Sequence, residues 1–592
     1  MLKYGILKEN LSERVIDTMK KLLPYLKGSR MQCVLAPLFK MFEAILELLV
    51  PLVIAEIIDK GIGSGDKDFI IRMCIVLILL GAVGLAFSIT AQFFAAQASV
   101  AFVKRLKHAL FKHIGKLSYS QLDSQGTSTL ITRMTSDMDS VQNGLNLTLR
   151  LLLRSPFVVL GAMVMAFTVD AKAAITFVVL IPLLSVVVFG ILFSCIPLYK
   201  KVRSRLDAVL GSARENLVGA RVLRAFRKES VQISEFEARN EALTKMQEFT
   251  GKISALLNPV TFIIVNIGIA VLIYMGALRV EAGIITQGAV VALYNYMSQI
   301  LVELVKFANL IISITKSVAC ADRISAVLET PADICEGNET EKEETDMSVE
   351  FENVSFTYEG AGEASLENIS FSAKKGETVG IIGSTGSGKT TLINLIPAFY
   401  RADSGEIRIK GKSVCNWNET LLREKIAVVP QKSVLFKGTI KDNMLWGKSN
   451  ATDNEIWSAL ETAQAKDFVQ AKGGGLDAPV EQGGTNFSGG QRQRLCVARA
   501  VISDADILIF DDSSSALDYA TDAAMRKAIA ALQGEKTVFI VSQRTSSIMG
   551  ADKIILLDDG KAEIGTHEEL LKNSSVYREI HLSQFEEGEA AV

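Results

Sequence analysis

Apolar residues run almost unbroken over 31–58, 69–101, 142–168, 172–198, 253–278 and 284–314. Each run can cross a hydrocarbon core of about 30 Å as a helix, so the pattern predicts six membrane spans. The connectors are of two kinds. KGIGSGDKD, VDAKA and LRVEAG are short with little basic excess, whereas 102–141 and 199–252 are long and basic, the second holding Lys200, Lys201, Arg203, Arg205, Arg214, Arg221, Arg224, Arg227 and Lys228. Positive-inside bias puts both long connectors, and both chain ends, on the cytoplasmic side. Within them, LSYSQLDSQGTSTLITRM (117–134) and ARENLVGARVLRAFRKE (213–229) read as helices broken at glycine, polar enough to leave the membrane and dock on a soluble domain. Ahead of the first span, 12–26 predicts a short amphipathic helix on the membrane surface, and the N-terminus lacks a signal peptide's compact apolar core and cleavage site.

Beyond Glu329 the pattern changes. TPADICEGNETEKEETDMS (330–348) is Pro- and acid-rich without apolar periodicity and reads as a linker. From Val349 to Val592, short β-rich runs (VEFENVSFTY, TVGIIG, EIRIKG, KIAVVP, DILIFDD, TVFIVS, KIILLDDG) alternate with helical stretches. That alternation predicts an α/β domain whose central sheet is largely parallel with an antiparallel edge. The expected organisation is an all-α six-helix membrane domain over 1–329, the linker, and an α/β domain over 349–592.

Composition agrees with a chain that is half membrane and half soluble. Hydrophobic residues make up 49% and the mean hydropathy is +0.29, yet charged residues reach 22%. The formal net charge of −2, with no basic face interleaved by aromatics, argues against nucleic acid as a partner. The seven cysteines show neither CxxC nor His-rich spacing, so no zinc site or disulfide framework is indicated.

The α/β half carries a phosphate-binding motif. Gly383, Ser384, Thr385, Gly386, Ser387, Gly388, Lys389 and Thr390 fit G-x-x-x-x-G-K-[ST] between an apolar strand and an apolar helix, with Thr391 next. Glycines let backbone N–H groups curl around a β-phosphate, Lys389 reaches the β/γ oxygens, and Thr390 offers a hydroxyl to Mg²⁺. Asp511 closes the strand ILIFD as the metal-side carboxylate. ATP and Mg²⁺ are the expected cofactors.

These residues, with NFSGGQRQRL (486–495) and SALD (515–518), resemble the ATP-binding-cassette proteins, and six spans ahead of one cassette resemble their exporter class over nearly the whole chain. The resemblance implies a six-helix transmembrane domain of the exporter type followed by a RecA-like P-loop domain. It makes Tyr358 the aromatic that stacks on adenine, Gln431 a Q-loop residue joining Thr390 and Asp511 at the metal, and Asp518 a D-loop residue. Ser488, Gly489, Gly490 and Gln491 become the signature acting on the nucleotide of a second cassette.

Two catalytic positions depart from the family pattern. Asp512 stands where a glutamate positions the attacking water, and is shorter by one methylene, roughly 1.5 Å. Gln543 stands where a histidine contacts the γ-phosphate, and cannot carry a positive charge. Ser513 and Ser514 also replace the usual proline and threonine. The departures read either as drift tolerated in an active enzyme or as a degenerate site that holds ATP and hydrolyses it poorly. An intact signature beside a poor base resembles one subunit of the heterodimeric bacterial exporters, whose partner half-transporter would supply the competent base.

In the membrane half, Glu43, Glu47 and Glu303 are candidate cavity residues, because intramembrane ionisable groups face a cavity or a partner. Glu303 and Lys306 can equally satisfy each other at i, i+3. Arg150 and Arg154 are expected to snorkel or line an inward-open mouth near the cytoplasmic start of the third span. The expected function is ATP-driven export of hydrophobic or amphipathic compounds (drug-like molecules, lipids or peptides) across a bacterial inner membrane, in contact with its lipids and with the cassette in the cytoplasm. The alternatives are a homodimeric exporter with slow turnover and an ATP-gated membrane regulator.

Overall fold

The computed structural model describes residues 21–331, 337, 345–513, 517–531 and 536–589, with side chains as far as Gln584 in the last stretch. Residues 12–20 of the expected surface helix, most of the linker, and Ser514, Ser515 and Ala516 lie outside them. Leu23–Ser29, the end of that expected helix, is a 3₁₀ turn. The chain divides into two compact units, one of Met1–His113 with Ser128–Thr330, the other of Ile114–Thr127 with Pro331–Val592.

The first unit is helical. Lys67–Ile114, Thr127–Val169, Ala171–Val218, Glu229–Glu281 and Gln287–Glu329 are long and apolar enough to cross a membrane. Of the six spans expected, the first, Arg30–Glu56, has the length at 27 residues. It falls short in composition because Lys40, Glu43 and Glu47 interrupt it. Outward faces of these helices carry exposed Ile75, Ile78, Leu79, Val186 and Phe262, surface that only hydrocarbon or another apolar face would cover.

The interrupting charges are compensated. Lys40 Nζ donates to Glu43 at 2.5 Å and to Ser88 Oγ at 3.2 Å. Arg154 donates to Glu303 at 2.6 Å and to Glu47 at 2.5 Å, and Glu303 also accepts from Ser155 Oγ and Lys306 Nζ, each at 2.9 Å. The i, i+3 pair therefore forms, as part of a larger cluster. Arg154 is 6% exposed, which corrects the snorkelling expectation: two carboxylates from other helices neutralise the guanidinium where it stands. Glu303 is 2% exposed and fully engaged. Glu47, which keeps more exposure, and Glu303 both line a cavity of about 320 Å³, with Val50, Pro51, Gln299 and Lys306, that Glu43 does not reach.

The second unit has the largely parallel central sheet with an antiparallel edge that the pattern predicts, and a separate antiparallel sheet beside it. Its strands are β1 (Met347–Phe356), β2 (Leu366–Lys374), β3 (Thr378–Gly383), β4 (Ser404–Ile409), β5 (Lys412–Ser413), β6 (Ile426–Val429), β7 (Gly438–Thr439), β8 (Pro479–Val480), β9 (Ile507–Asp511), β10 (Thr537–Val541), β11 (Lys553–Asp558) and β12 (Lys561–Gly565). VEFENVSFTY and EIRIKG leave the central sheet for a separate antiparallel one, β2-β1-β4-β5, while the main sheet runs β12-β11-β3-β10-β9-β6 with only its β11–β12 edge antiparallel. Alternation explains why two sheets are needed. In β9, Ile507 and Ile509 face the core shared with Val349, Phe351 and Phe371, while Leu508 and Phe510 face a core shared with Ile456, Leu460 and Val497. A strand apolar on both faces must be covered on both, and the antiparallel sheet is one of the covers.

The segment 114–127, whose polar part is expected to leave the membrane and dock on a soluble domain, belongs to this unit. Ser118 caps the helix Tyr119–Gln125 with a reciprocal Gln121 contact, and Gly126 (φ +74°) ends it. Tyr119 stacks on Phe399 at 4.4 Å, and Tyr400 donates to Asp123 at 2.7 Å. The other predicted docking segment, 213–229, lies within the first unit.

Removing the guanidinium would leave the buried Glu303 carboxylate with only the Ser155 hydroxyl and the half-exposed Lys306 as partners. Arg154→Met is therefore expected to lower the unfolding free energy of the solubilised protein by about 3–5 kcal/mol, and Lys306→Met by less than about 1 kcal/mol. Denaturant titration of both variants checks this, and equal losses would refute the assignment of Arg154 as the centre of the cluster.

Candidate nucleotide site

Strand order brings the chemistry together. β10 lies between β3 and β9 in parallel register, with Val541 opposite Ile381 on one side and Asp511 on the other, and β6 flanks β9. The carboxyl ends of all four strands point one way. The phosphate loop after β3, Asp511 and Asp512 at the end of β9, Gln543 after β10 and Gln431 after β6 therefore meet at one rim. They line a cavity of about 310 Å³ with Tyr358, Thr385, Gly386, Lys389, Thr390 and Thr391.

The loop itself is set by glycine. Gly386 (φ +87°) and Gly388 (φ +95°) adopt left-handed backbone, and a Cβ on Gly388 would come within 2.6 Å of the Ser365 carbonyl oxygen. Lys389 opens the helix Lys389–Leu395, and its buried ammonium donates to the carbonyls of Gly383 (2.9 Å) and Ser384 (2.6 Å). Burial pushes this ammonium below the usual lysine range. Thr390 Oγ1 lies 3.2 and 3.1 Å from the two oxygens of Asp511. Tyr358 meets Thr391 Oγ1 at 3.0 Å and packs edge-on against Phe356 and Tyr400, so its ring stands beside the loop.

Asp512 is the point where the other elements converge. It holds a left-handed backbone (φ +45°), unusual for a residue with a side chain. Its Oδ2 accepts from Gln431 Nε2 and from Gln543 Nε2, both at 3.4 Å, and its carbonyl accepts from Gln493 Nε2 at 3.1 Å. Gln493 sits in the quoted signature run, but spacing alone gave no sign that it braces Asp512. Burial raises the carboxyls of Asp511 and Asp512 above their ordinary value of 3.8, and Asp512 adds to the shift on Asp511. Ser513 is buried next to them. No cluster of three or more metal-ligating His, Cys, Asp or Glu side chains occurs among the described residues.

The signature residues are elsewhere. Ser488 caps the helix Gly489–Val501, its Oγ accepting from Gln491 N while Gln491 Oε1 accepts from Ser488 N. Ser488 and Gly489 are exposed, and none of the four lines the cavity. Asp518 caps Tyr519–Ala530 through Thr521 N at 3.1 Å and is likewise outside the cavity.

Residues 33–304 match the family described as ABC transporter transmembrane region, and residues 366–515 the family described as ABC transporter. The chain is similar to the uncharacterized ABC transporter ATP-binding protein YfiB of Bacillus subtilis, at 37% identity over 574 residues covering 96% of this chain and 99% of the relative. It is also similar to the ATP-dependent lipid A-core flippase of Vibrio vulnificus, at 27% identity over 98% of this chain and 100% of the relative. A solved bacterial Atm1-family ABC exporter with ATP bound has the same fold, with a TM-score of 0.76 over 95% of this chain and 98% of that one at 23% identity.

A carboxyl whose folded value is raised stabilises the fold when protonated. That contribution is complete below its unfolded value near 3.8 and is lost as pH rises through the folded value. Asp512→Asn, which suits the left-handed backbone and removes the buried charge, is expected to raise the thermal midpoint of the nucleotide-free protein at pH 7 by about 2–4 °C. The gain should shrink toward pH 4. A pH-independent difference between the two midpoints would refute the assignment.

Proposed function

The chain belongs to the ABC transporter family, with transmembrane region and ATP-binding cassette in one polypeptide, and we propose that it is one half of a heterodimeric ATP-driven exporter. In this reading its own phosphate loop builds a degenerate site that retains ATP. Its signature, Ser488 to Gln491, acts on the ATP of a second, different half-transporter that supplies the competent base.

The observation that carries this reading is the state of Asp512. The carboxylate stands where the family pattern has a longer glutamate, and its Oδ2 is engaged by the amides of Gln431 and Gln543. A base must reach the attacking water and accept its proton, and angstrom misplacements can lower rates by about 10²-fold. The amide at Gln543 offers a γ-phosphate a neutral hydrogen bond in place of a charged one. The signature helix keeps its capping box and its exposed N-terminus, as a surface that serves another nucleotide requires.

Binding needs less than hydrolysis, and the remaining residues suffice for it. Lys389 and the loop N–H groups would hold the phosphates, Tyr358 would stack on the adenine, and Asp518 would act from the D-loop. Thr390 Oγ1 and the Asp511 carboxylate, 3.1 Å apart at their closest, are a hard oxygen pair suited to Mg²⁺, which keeps several waters and phosphate oxygens as its other ligands. Gln431, which lines the same cavity, would join them. A metal held by Thr390 and Asp511 would supply positive charge to offset that of the phosphates.

Export of hydrophobic or amphipathic compounds is supported by apolar spans carrying a compensated charge cluster and by the likeness to lipid A-core flippases. The basic long connectors support a cytoplasmic cassette on a bacterial plasma membrane. Cargo would pass outward by alternating access as ATP binding closes the two cassettes.

The test is ATPase activity of the complex purified through a tag on this chain. Asp512→Glu is expected to increase turnover at this chain's site about 10-fold or more, and chelation of Mg²⁺ to abolish all turnover. Brisk turnover by this chain purified alone as a homodimer, with Asp512 in place, would overturn the heterodimer reading.

A further inference from the structure

We propose that Gln584, in the C-terminal helix Ser575–Glu589, is a positioning residue for the nucleotide site, holding the loop that carries Gln543. Its side-chain amide uses both ends on that loop. Oε1 accepts from Thr545 N at 2.8 Å and from Thr545 Oγ1 at 3.0 Å, while Nε2 donates to the Gln543 carbonyl at 2.8 Å. This amide orientation matches all three partners, since exchanging oxygen and nitrogen would set donor against donor at Thr545. One side chain thus spans two residues of main chain, much as a neighbouring strand would.

The loop matters because of where its first residue points. Gln543 leaves β10 at the rim of the cavity and directs Nε2 toward Asp512 Oδ2, 3.4 Å away. Upstream, β10 holds the loop within the sheet. Downstream, Thr545–Ser547 is a single 3₁₀ turn, whose Ser546 carbonyl accepts from Arg526 at 2.8 Å. Gln584 holds the main chain between these two anchors, beside the Arg544 N–H to Ser542 Oγ bond at 3.0 Å and His581 Nδ1 at 3.3 Å from Thr545 Oγ1. The helix that carries it is itself fixed: Tyr577 is fully buried against Ile554, Leu556 and Leu570, and its hydroxyl meets His567 Nδ1 at 2.8 Å. An end-of-chain helix, 41 residues downstream of Gln543, is in this way mechanically part of the ATP pocket.

The inference rests on the reading of this pocket as one that retains ATP, and the experiment separates the two. The complex, purified from its own host through a tag on this chain, is loaded with Mg²⁺ and a fluorescent N-methylanthraniloyl ATP, then chased with ATP. The slow release phase reports the retaining site. Gln584→Ala is expected to speed that phase about 3- to 10-fold, the effect of losing one or two hydrogen bonds. Gln543→Ala should do the same, and the double variant should be no faster than Gln543→Ala alone, because the two residues act in series. A structural role alone would lower the thermal midpoint of the nucleotide-free protein and leave the release rates additive. Wild-type release from Gln584→Ala, or multiplying effects in the double variant, would overturn the proposal. If the unsubstituted complex shows no slow phase, the retaining-site reading fails by itself. The same non-additive comparison is then made on kcat, where additive losses would overturn the role of Gln584.

Discussion

Two adjacent carboxylates at the end of a fully buried strand are the constraint around which the second unit is arranged. Asp511 and Asp512 follow Ile507–Phe510, residues buried on both sides of the sheet, so Asp511 is itself buried while Asp512, one residue past the strand, is half-buried at the cavity rim. Each is accommodated by what the neighbouring loops deliver. Asp511 has the Thr390 hydroxyl; Asp512 turns away through a left-handed backbone and meets two side-chain amides. Lys389 supplies the nearby positive charge, although its ammonium is occupied by the carbonyls of its own loop. A bound polyphosphate would bring the acceptors that Lys389 and the loop N–H groups can meet.

The membrane half obeys the same electrostatics with a different solution. Where no ligand charge is on hand, ionised groups are buried as sets of balanced sign. Glu47 and Glu303 face Arg154 and Lys306, and Lys40 faces Glu43. The cluster ties Arg30–Glu56, Arg154–Val169 and Gln287–Glu329 by directional contacts, in a setting where apolar packing alone distinguishes poorly between one helix neighbour and another. An ion pair of this kind is weak evidence for stability but a strong selector of which helices meet.

The fold class and the phosphate loop were legible because both depend on local pattern. Runs of spanning length, a change of period after Glu329, and glycines spaced for a tight loop need no knowledge of distant residues. What local pattern could not reveal shares one cause. β1 and β4 look like any other strand in sequence, and only the need to cover the second face of β9 and its neighbours assigns them to a separate sheet. The polarity of 117–134 showed that it leaves the membrane to dock, but not that Tyr119 and Asp123 are matched to Phe399 and Tyr400. Arg154 looked like a snorkelling residue because its two partners are 107 and 149 positions away.

By itself the sequence determined which residues this chain can offer to a nucleotide: a cation on a glycine loop, a hydroxyl, two short carboxylates and an amide in place of a histidine. Side-chain chemistry is a property of the residue, so those identities and their limits needed no coordinates. Tertiary structure alone decided that four separate loops share one rim, that Asp512 is held by Gln431, Gln543 and Gln493 together, and that a glutamine near the chain's end steadies the loop opposite. Those relations follow from strand order and helix docking, which are set by burial of surfaces far apart in the chain and leave no local trace.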